Sequence, residues 1–417
     1  MTRHRAVVAG AVLMATLCGL LGGAPIAGAA STQGVTAKTI RIGVPYVDVA
    51  AVKSVGVSLD WGNVTDAYKA VIANVNSHGG INGRKIVPFI IAVDPTGSAP
   101  AATTCTQLTQ DDKIFVALAP LMPACYLQAG VPTINALLQG AASTGPAQNF
   151  ALAPPSATYD PVELAIFKKQ GVFKNKKIGI FAGVTTDQAE LTSVQGNLKK
   201  LNIPVVATAV DSAPQGDLAA ENQQGAVIAQ KFQSEGVNEV VAVGYGSSVW
   251  PEVLSAIQSS YNPPWVGTSE SDLSGDVAGS DDPKYLKNVV TSSPIPGPQT
   301  VWNDPLTQAC VKTARKAYPA DHINNYNPTF PGSKSTWLGI EQACTDVSLF
   351  TAIAKAAGKH LTLSSFLKAG YGLRNVDVPG AGKISFAPGR PFALGPVYMV
   401  HYDPSTKTLV FATKSSA

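Results

Sequence analysis

Side chains that could carry out a reaction are few in this chain, and their spacing completes none of the common catalytic motifs. The segment 244–248, Gly-Tyr-Gly-Ser-Ser, does not complete the Gly-x-Ser-x-Gly elbow of α/β hydrolases. The segment 331–335, Pro-Gly-Ser-Lys-Ser, lacks the upstream glycine spacing of a Walker loop, and no His-Glu-x-x-His zinc motif occurs. The sequence therefore predicts a protein that is not an enzyme and needs no cofactor. An exported α/β hydrolase is the disfavoured alternative.

Length and composition describe a large globular chain. Its 417 residues predict two domains rather than one. With 45% hydrophobic and only 14% charged residues, the chain can bury a sizeable core, and disorder is not expected. The net charge of +4 is small for this length and argues against a nucleic-acid-binding protein.

The N-terminus has the pattern of an export signal. The basic segment 3–5 is followed by an apolar run over 6–21 and by the small residues Ala-Gly-Ala at 27–29. Cleavage after residue 29 or 30 is expected, which gives a soluble protein in the periplasm or outside the cell. The apolar run is short for a membrane anchor and is interrupted by glycines. No lipid attachment is expected, because Leu17 before Cys18 is too large for the usual lipidation signal.

The stretch 61–93 gives the clearest local pattern. Apolar residues from Val64 to Val75 recur at spacings of three and four, which predicts a helix with Asn63 as its N-cap. Gly79 fits the position just past the helix end. The run 86–93 then predicts a strand, and Pro88 within it predicts a sheet edge because proline has no N–H to donate.

The rest of the chain continues this alternation, which implies parallel sheets with helices on both faces. The predicted strands are 40–45, 113–119, 131–134, 176–181, 204–209 and 238–244; the predicted helices are 103–111, 188–200, 220–235, 303–318 and 337–357; and a final hairpin is predicted from 396–401 and 408–413.

The amphipathic helix that ends in Gly-Gly-Ile-Asn-Gly-Arg-Lys-Ile at 79–86 resembles the first helix and second strand of type I periplasmic solute-binding proteins. The branched-chain-amino-acid (leucine/isoleucine/valine) binding proteins of ABC transporters are the most similar branch. The resemblance implies an α/β chain of two Rossmann-like, doubly wound lobes joined by a three-segment hinge. Lobe one would comprise residues 31–153 plus 294–378, and lobe two residues 154–293 plus 379–417.

The same resemblance implies the function. A small-molecule solute would bind between the lobes, favour the closed form and be delivered to an ABC permease in the membrane. We expect a monomer with no nucleic-acid partner. A ligand-sensing receptor ectodomain of the same fold is the alternative.

In lobe one the resemblance implies two ligand-contacting regions. Trp61 stands where relatives have an aromatic residue before a glycine, and its ring could stack on a ligand, although packing in the core is an equal alternative. In relatives, hydroxyl side chains and backbone N–H groups after the third strand hold the ligand carboxylate. Here that loop contributes Ala124, Cys125 and Tyr126, with no Ser or Thr, and Pro123 lacks an N–H. We therefore expect either an amino-acid-like ligand held by backbone alone or a more apolar carboxylate.

In lobe two the resemblance implies three further contacts. Tyr245 stands at the end of a predicted strand, as a ligand-contacting Tyr does in relatives. Glu270 stands near the acidic residue that binds the ligand ammonium group, but one position out of register, so Ser269 or Asp272 could take this role instead. A solvated loop position is the other alternative for Glu270. Thr186 follows another predicted strand and could reach the cleft.

Four cysteines follow the predicted signal, and an even number in an exported protein favours disulfides. Three pairings are possible. We expect Cys105–Cys125 and Cys310–Cys344, because each bridge then lies within one lobe. Free buried thiols are the alternative; a metal site is not expected, because no Cys-x-x-Cys occurs and the histidines are isolated from the cysteines.

Overall fold

The computed structural model describes most of the chain from residue 32 onward. The described residues are 32–54, 61–95, 98–139, 146–183, 188–213, 218–243, 257–258, 261–268, 286–323, 337–393, 397–406 and 408–415. The predicted export signal lies outside these residues and stays a prediction. Within them, no helix combines the length and the apolar character that crossing a membrane requires.

The first sheet contains five parallel strands in the order β2-β1-β3-β4-β5. The predicted edge position of the strand that contains Pro88 is confirmed, because β2 stands at the end of this order among the described strands. The strands are β1 Thr39–Val47, β2 Lys85–Val93, β3 Val116–Leu118, β4 Thr133–Gln139 and β5 Asn149–Ala153.

The second sheet has the order β14-β13-β10-β9-β8-β6-β7, in which β6 to β10 are parallel to one another. The predicted last hairpin is confirmed as the antiparallel pair β13 and β14. The strands are β6 Ile178–Ala182, β7 Val205–Val210, β8 Glu239–Val243, β9 Trp265–Gly267, β10 Val289–Ser293, β13 Val397–Asp403 and β14 Thr408–Ser415. A separate hairpin pairs β11 Val376–Val378 with β12 Gly382–Ile384.

Helices follow most of the parallel strands. Those of the first half are α1 Val49–Ser54, α2 Val64–Ser77, α3 Ser98–Thr106, α4 Pro123–Gln128, α5 Ser156–Lys169, α6 Gln188–Lys200 and α7 Leu218–Ser234. Those of the second half are α8 Pro298–Asn303, α9 Pro305–Ala317, α10 Leu338–Ala356 and α11 Leu363–Tyr371. A π-helical turn extends α3 through Gln107–Asp111.

The caps of α2 agree with the sequence prediction. The Asn63 side-chain oxygen accepts a hydrogen bond of 3.1 Å from the Asp66 N–H, which satisfies one of the free donors at the start of the helix. Gly79 has φ +90°, the left-handed conformation that a residue without a Cβ adopts at little cost. The helix therefore begins and ends where its sequence specifies.

Both sheets are covered on two faces, as the doubly wound prediction requires. In the second sheet, Phe181 and Val240 pack in one core with α7, whereas Ile180 and Val241 pack in another with α5 and α6. The alternation follows from the two-residue period of a strand. In the first sheet, Ile42 lies in the core with α2 and α10, and the opposite face packs on α3 and α4.

Three connections link the two sheets. The chain leaves the first sheet after β5 and enters α5, whose Phe167 is buried in a core of the second sheet. It returns after β10 into α8, where Val301 is buried in the core of the first sheet. It then stays with the first sheet through Ala393, whose N–H donates to the Ala151 carbonyl at 3.1 Å, before β13 joins the second sheet.

Both expected disulfides are present. Cys105 in α3 bonds to Cys125 in α4, and Cys310 in α9 bonds to Cys344 in α10. Each bridge joins two helices that pack with the first sheet. The pairing argument from the sequence is confirmed.

Candidate functional site

The strand order of each parallel sheet defines where a ligand can bind. In the order β2-β1-β3, chain connections leave β1 and β3 toward opposite faces, so a crevice opens beyond their carboxyl ends. Residues 46–48 lie at the carboxyl end of β1 and just past it, residues 61–63 come later in the sequence, and residues 119–124 follow β3. Both candidate regions of lobe one therefore follow the strands that flank the switch point.

Two aromatic residues belong to this region, one near the carboxyl end of β1 and one shortly before α2. Tyr46 and Trp61 are half-buried and pack on the core of the first sheet. The Thr65 hydroxyl, in the first turn of α2, donates to the Tyr46 hydroxyl at 3.1 Å. Sequence reasoning missed Tyr46 because it ended the strand at Pro45, two residues before the true end of β1.

Trp61 is held through its backbone by the start of α10. The Gly339 N–H donates to the Trp61 carbonyl at 2.9 Å. A Cβ atom at position 339 would lie 2.6 Å from that carbonyl oxygen and 3.3 Å from the Val64 Cα. Only glycine permits this approach, so the position of Trp61 depends on a residue almost 280 positions away in the sequence.

Replacing Gly339 with alanine is expected to destabilise the fold by about 2 kcal/mol, because the added methyl group meets backbone rather than a flexible side chain. Urea denaturation followed by circular dichroism measures this. Gly196→Ala is the matched control: it also lies in a helix, but nothing lies within 4 Å of its added Cβ. That control should gain up to about 1 kcal/mol from helix propensity. Equal effects at the two positions would contradict the close-approach explanation.

The loop after β3 is apolar, as its sequence predicted. Ala119 has φ +49°, and the side chains of Met122 and Ala124 are exposed. Cys125 is engaged in its disulfide. The Tyr126 ring is only 2% exposed and lies in the core with α3, where burial raises the pKa of its hydroxyl. A ligand contact by Tyr126 would therefore use its backbone, and all three predicted contacts of this loop stay predictions.

The second sheet repeats the switch point between β6 and β8, because β7 and β8 flank β6 on opposite sides. Thr186 follows β6 in the sequence and Tyr245 follows β8, while Glu270 comes three residues after β9. These three predicted site residues lie outside the described residues. Their contacts with a ligand stay predictions.

A buried polar cluster, which the sequence analysis did not find, lies near the carboxyl end of β10. The Ser292 hydroxyl donates to a Glu163 carboxylate oxygen at 2.7 Å and lies 2.8 Å from the Tyr159 hydroxyl. Asp160 is fully buried beside them. Burial, together with the negative charge of Glu190, raises the pKa of Asp160 to about 8, and the neighbouring Glu163 side chain opposes this rise. Two acidic residues three positions apart on one helix are the sequence signal for this cluster.

Two doubly wound parallel sheets, linked by three connections and each with a switch-point crevice, define the type I periplasmic binding protein fold. Solved structures of this fold are similar over nearly the whole chain. A branched-chain amino acid transporter substrate-binding protein from Streptococcus pneumoniae, in complex with isoleucine, has a TM-score of 0.60 at 16% identity and covers 91% of this chain and 100% of its own.

Two further structures show the same likeness. An ABC transporter substrate-binding protein from Desulfitobacterium hafniense, in complex with Leu, has a TM-score of 0.60 at 14% identity and covers 90% of this chain and 100% of its own. A fatty acid ABC transporter substrate-binding protein from Thermomonospora curvata has a TM-score of 0.61 at 16% identity and covers 92% of this chain and 95% of its own. No protein-family model and no curated protein matches the sequence.

Proposed function

We propose that this protein is an extracytoplasmic solute-binding protein that captures a small molecule between two lobes and delivers it to an ABC importer. The observation that carries the proposal is the pair of switch-point crevices, one in each sheet, within a fold shared with transporter substrate-binding proteins. The export signal expected from the sequence supports the location. In this proposal the protein acts as a monomer, performs no reaction on the solute and meets a permease in the membrane.

The three connections between the sheets serve as the hinge in this proposal. The first two comprise residues 154–155 and 294–297, and the third is proposed to lie after residue 393, later than the boundary at residue 378 that the sequence analysis expected. Phe386 is buried in the core of the first sheet, and the Ala393 N–H bonds to β5, which supports assigning residues up to 393 to lobe one. A solute that contacts both lobes would shift the hinge toward closure by its higher affinity for the closed form.

The solute is proposed to be a carboxylate with an apolar body, either an aliphatic amino acid or a longer fatty-acid-like molecule. The loop after β3 offers no Ser or Thr hydroxyl, and it exposes Met122 and Ala124 instead. The aromatic side chains of Tyr46 and Trp61 supply further apolar surface with one hydrogen-bonding hydroxyl. The names of the similar structures include Ile, Leu and fatty acid, which is consistent with this chemical class.

A ligand panel tests the proposal. The mature protein is screened by thermal shift against amino acids, amides, short carboxylates, fatty acids and aromatic or sterol-derived acids, and hits are measured by calorimetry. A cognate solute at a hundredfold excess over its Kd should stabilise the protein by about 2.7 kcal/mol. If no compound raises the melting temperature, solute transport loses its support.

Trp61→Phe then tests the site. The solute found in the panel should bind at least about tenfold more weakly to this variant, because a smaller ring offers less contact area. Trp302→Phe is the matched control, since Trp302 is also half-buried but stacks edge-on against Trp337, with ring centroids 5.5 Å apart. If wild type and Trp61→Phe bind the solute with equal affinity, Trp61 does not contact the solute.

A further inference from the structure

The second sheet has a concentration of lysines at the end where its parallel strands begin. Backbone hydrogen bonds join neighbouring segments there, from the Asn238 N–H to the Lys177 carbonyl and from the Trp265 N–H to the Asn288 carbonyl. Lysines precede these strands or end the adjacent helices. We name this surface the amino-end pole, and its lysines are Lys168, Lys169, Lys174, Lys176, Lys177, Lys199, Lys200 and Lys287.

Contacts show that these lysines share one surface. The Lys168 Nζ donates to the Leu201 carbonyl at 2.7 Å, which places the end of α5 beside the turn that follows α6. A Cβ atom at Gly236 would lie 3.3 Å from the Lys177 Nζ, so the Lys177 side chain crosses the turn after α7. The amino-end pole therefore extends across several elements rather than along one helix.

Few acidic groups oppose this charge. Lys176 pairs with the buried Glu239 at 2.9 Å, and Glu235 is exposed nearby. The other seven lysines are exposed. Asp403 also lies at this end, because β13 runs antiparallel to β10, whereas Asp160, Glu163, Glu190 and Asp211 lie at the opposite, carboxyl end of the described strands.

Helix dipoles explain only part of the pattern. Lysines in the last turn of a helix interact favourably with its carbonyl end, and this accounts for Lys168 and Lys169 in α5 and for Lys199 and Lys200 in α6. Lys174, Lys177 and Lys287 lie in connecting segments, where no dipole favours them. The amino-end pole is thus more basic than helix capping requires.

An apolar groove lies within the basic surface. It has a volume of about 640 Å³ and is lined by Gln195, Lys199, Asn202, Ile203, Pro204 and Val205. Val205 is 37% exposed and the adjacent Val206 is 40% exposed, at the start of an edge strand. Exposed aliphatic side chains on the same surface as lysines are a combination that binds the interface of an anionic bilayer.

We propose that the amino-end pole is a docking surface for an anionic phospholipid membrane. The exposed lysine ammonium groups contact the lipid phosphates, and Val205 and Val206 enter the headgroup region. The broad, multi-element distribution of charge fits a flat, laterally mobile array of phosphates better than one acidic peptide. The surface lies away from the switch-point crevices, so docking does not require the solute site.

Vesicle binding tests the proposal. The mature protein is sedimented with vesicles of phosphatidylglycerol and phosphatidylcholine, or of phosphatidylcholine alone, at low and high salt. It should bind the anionic vesicles and be released by salt, because the attraction acts only within a Debye length.

The triple variant Lys174→Gln/Lys177→Gln/Lys200→Gln should bind at least about tenfold more weakly. Val205→Ser/Val206→Ser should bind more weakly without changing the salt dependence.

The control variant removes the same charge elsewhere. Lys312, Lys316 and Lys355 are exposed on helices that pack with the first sheet, and replacing all three with glutamine should leave vesicle binding within about twofold of wild type. Circular dichroism confirms that each variant is folded. The proposal is overturned if wild type does not bind anionic vesicles at low salt, or if the control variant loses as much binding. Polyglutamate binding as tight as vesicle binding would also overturn it in favour of an acidic partner.

Discussion

Replacing Asp160 with asparagine is expected to remove a pH dependence of folding stability worth about 4 kcal/mol between about pH 4.5 and pH 7.5. The carboxyl group is fully buried in α5, near the connection that leaves the first sheet. Glu163 lies three residues along the same helix, Glu190 adds a negative charge from α6, and Ser292 contributes a hydroxyl from β10. No lysine or arginine is among the groups that set its pKa.

The direction of the effect follows from where the proton is held. The pKa of Asp160 is raised from 3.8 in an exposed carboxyl to about 8 in the fold. Below about pH 4, folded and unfolded chains are both protonated at this position. The buried, neutral carboxyl group then lowers the stability of the fold by nothing. As the pH rises toward 8, unfolding releases a proton, so stability falls by about 1.4 kcal/mol per pH unit. The asparagine side chain does not ionise, so the stability of the variant lacks this pH dependence.

Urea denaturation of wild type and Asp160→Asn at the two pH values measures the effect. The variant should gain stability relative to wild type as the pH rises. Asp377→Asn is the control, because its exposed side chain pairs with Lys383 at 3.0 Å and its change in stability should stay within about 1 kcal/mol. Parallel curves for wild type and Asp160→Asn would show that the carboxyl group is ionised in the fold at neutral pH.

Most elements could be predicted where local periodicity and chain breakers agreed. The helix at α6 has the predicted bounds, and α10 begins and ends within one residue of the prediction. The sequence analysis missed α5, because Pro161 within it has no N–H for the helical hydrogen bond and is typical of a break. Packing of Leu164 and Phe167 in the core of the second sheet offsets this cost.

The site could be predicted only in part, because its determinants are distant in sequence. Trp61 was found from a local motif, whereas its fixation by Gly339 depends on two segments that meet only in the fold. The contact of Ser292 with Glu163 spans 129 residues. Tyr126 matched a motif by sequence position, yet its ring faces the core, since a short helix turns its residues to different sides.

An aromatic cluster supports the lobe that contains Trp61, and Phe366 is its centre. The Phe366 ring is fully buried in α11 and contacts Phe115, Phe150 and Phe350, with ring centroids 5.4, 6.0 and 6.2 Å away. Phe150 belongs to β5, Phe115 directly precedes β3, and Phe350 belongs to α10. One side chain thus joins the sheet to two helices. Because several different elements hold its neighbours, these rings cannot easily move in to fill the cavity that removal of the Phe366 ring would leave.

Phe366→Ala is therefore expected to lower the free energy of unfolding by about 4 kcal/mol, since it removes ring contacts and leaves a cavity among fixed neighbours. Phe366→Leu keeps most of the volume and should cost less than about 1.5 kcal/mol. Phe89→Ala gives a second comparison, because Phe89 is only half-buried at the edge strand, under the Arg41 guanidinium group at 4.6 Å. Urea denaturation monitored by circular dichroism measures all three. Equal stability of the alanine and leucine variants at position 366 would show that the cluster is loosely packed. The close packing between sheet and helices inferred from the ring geometry would then be wrong.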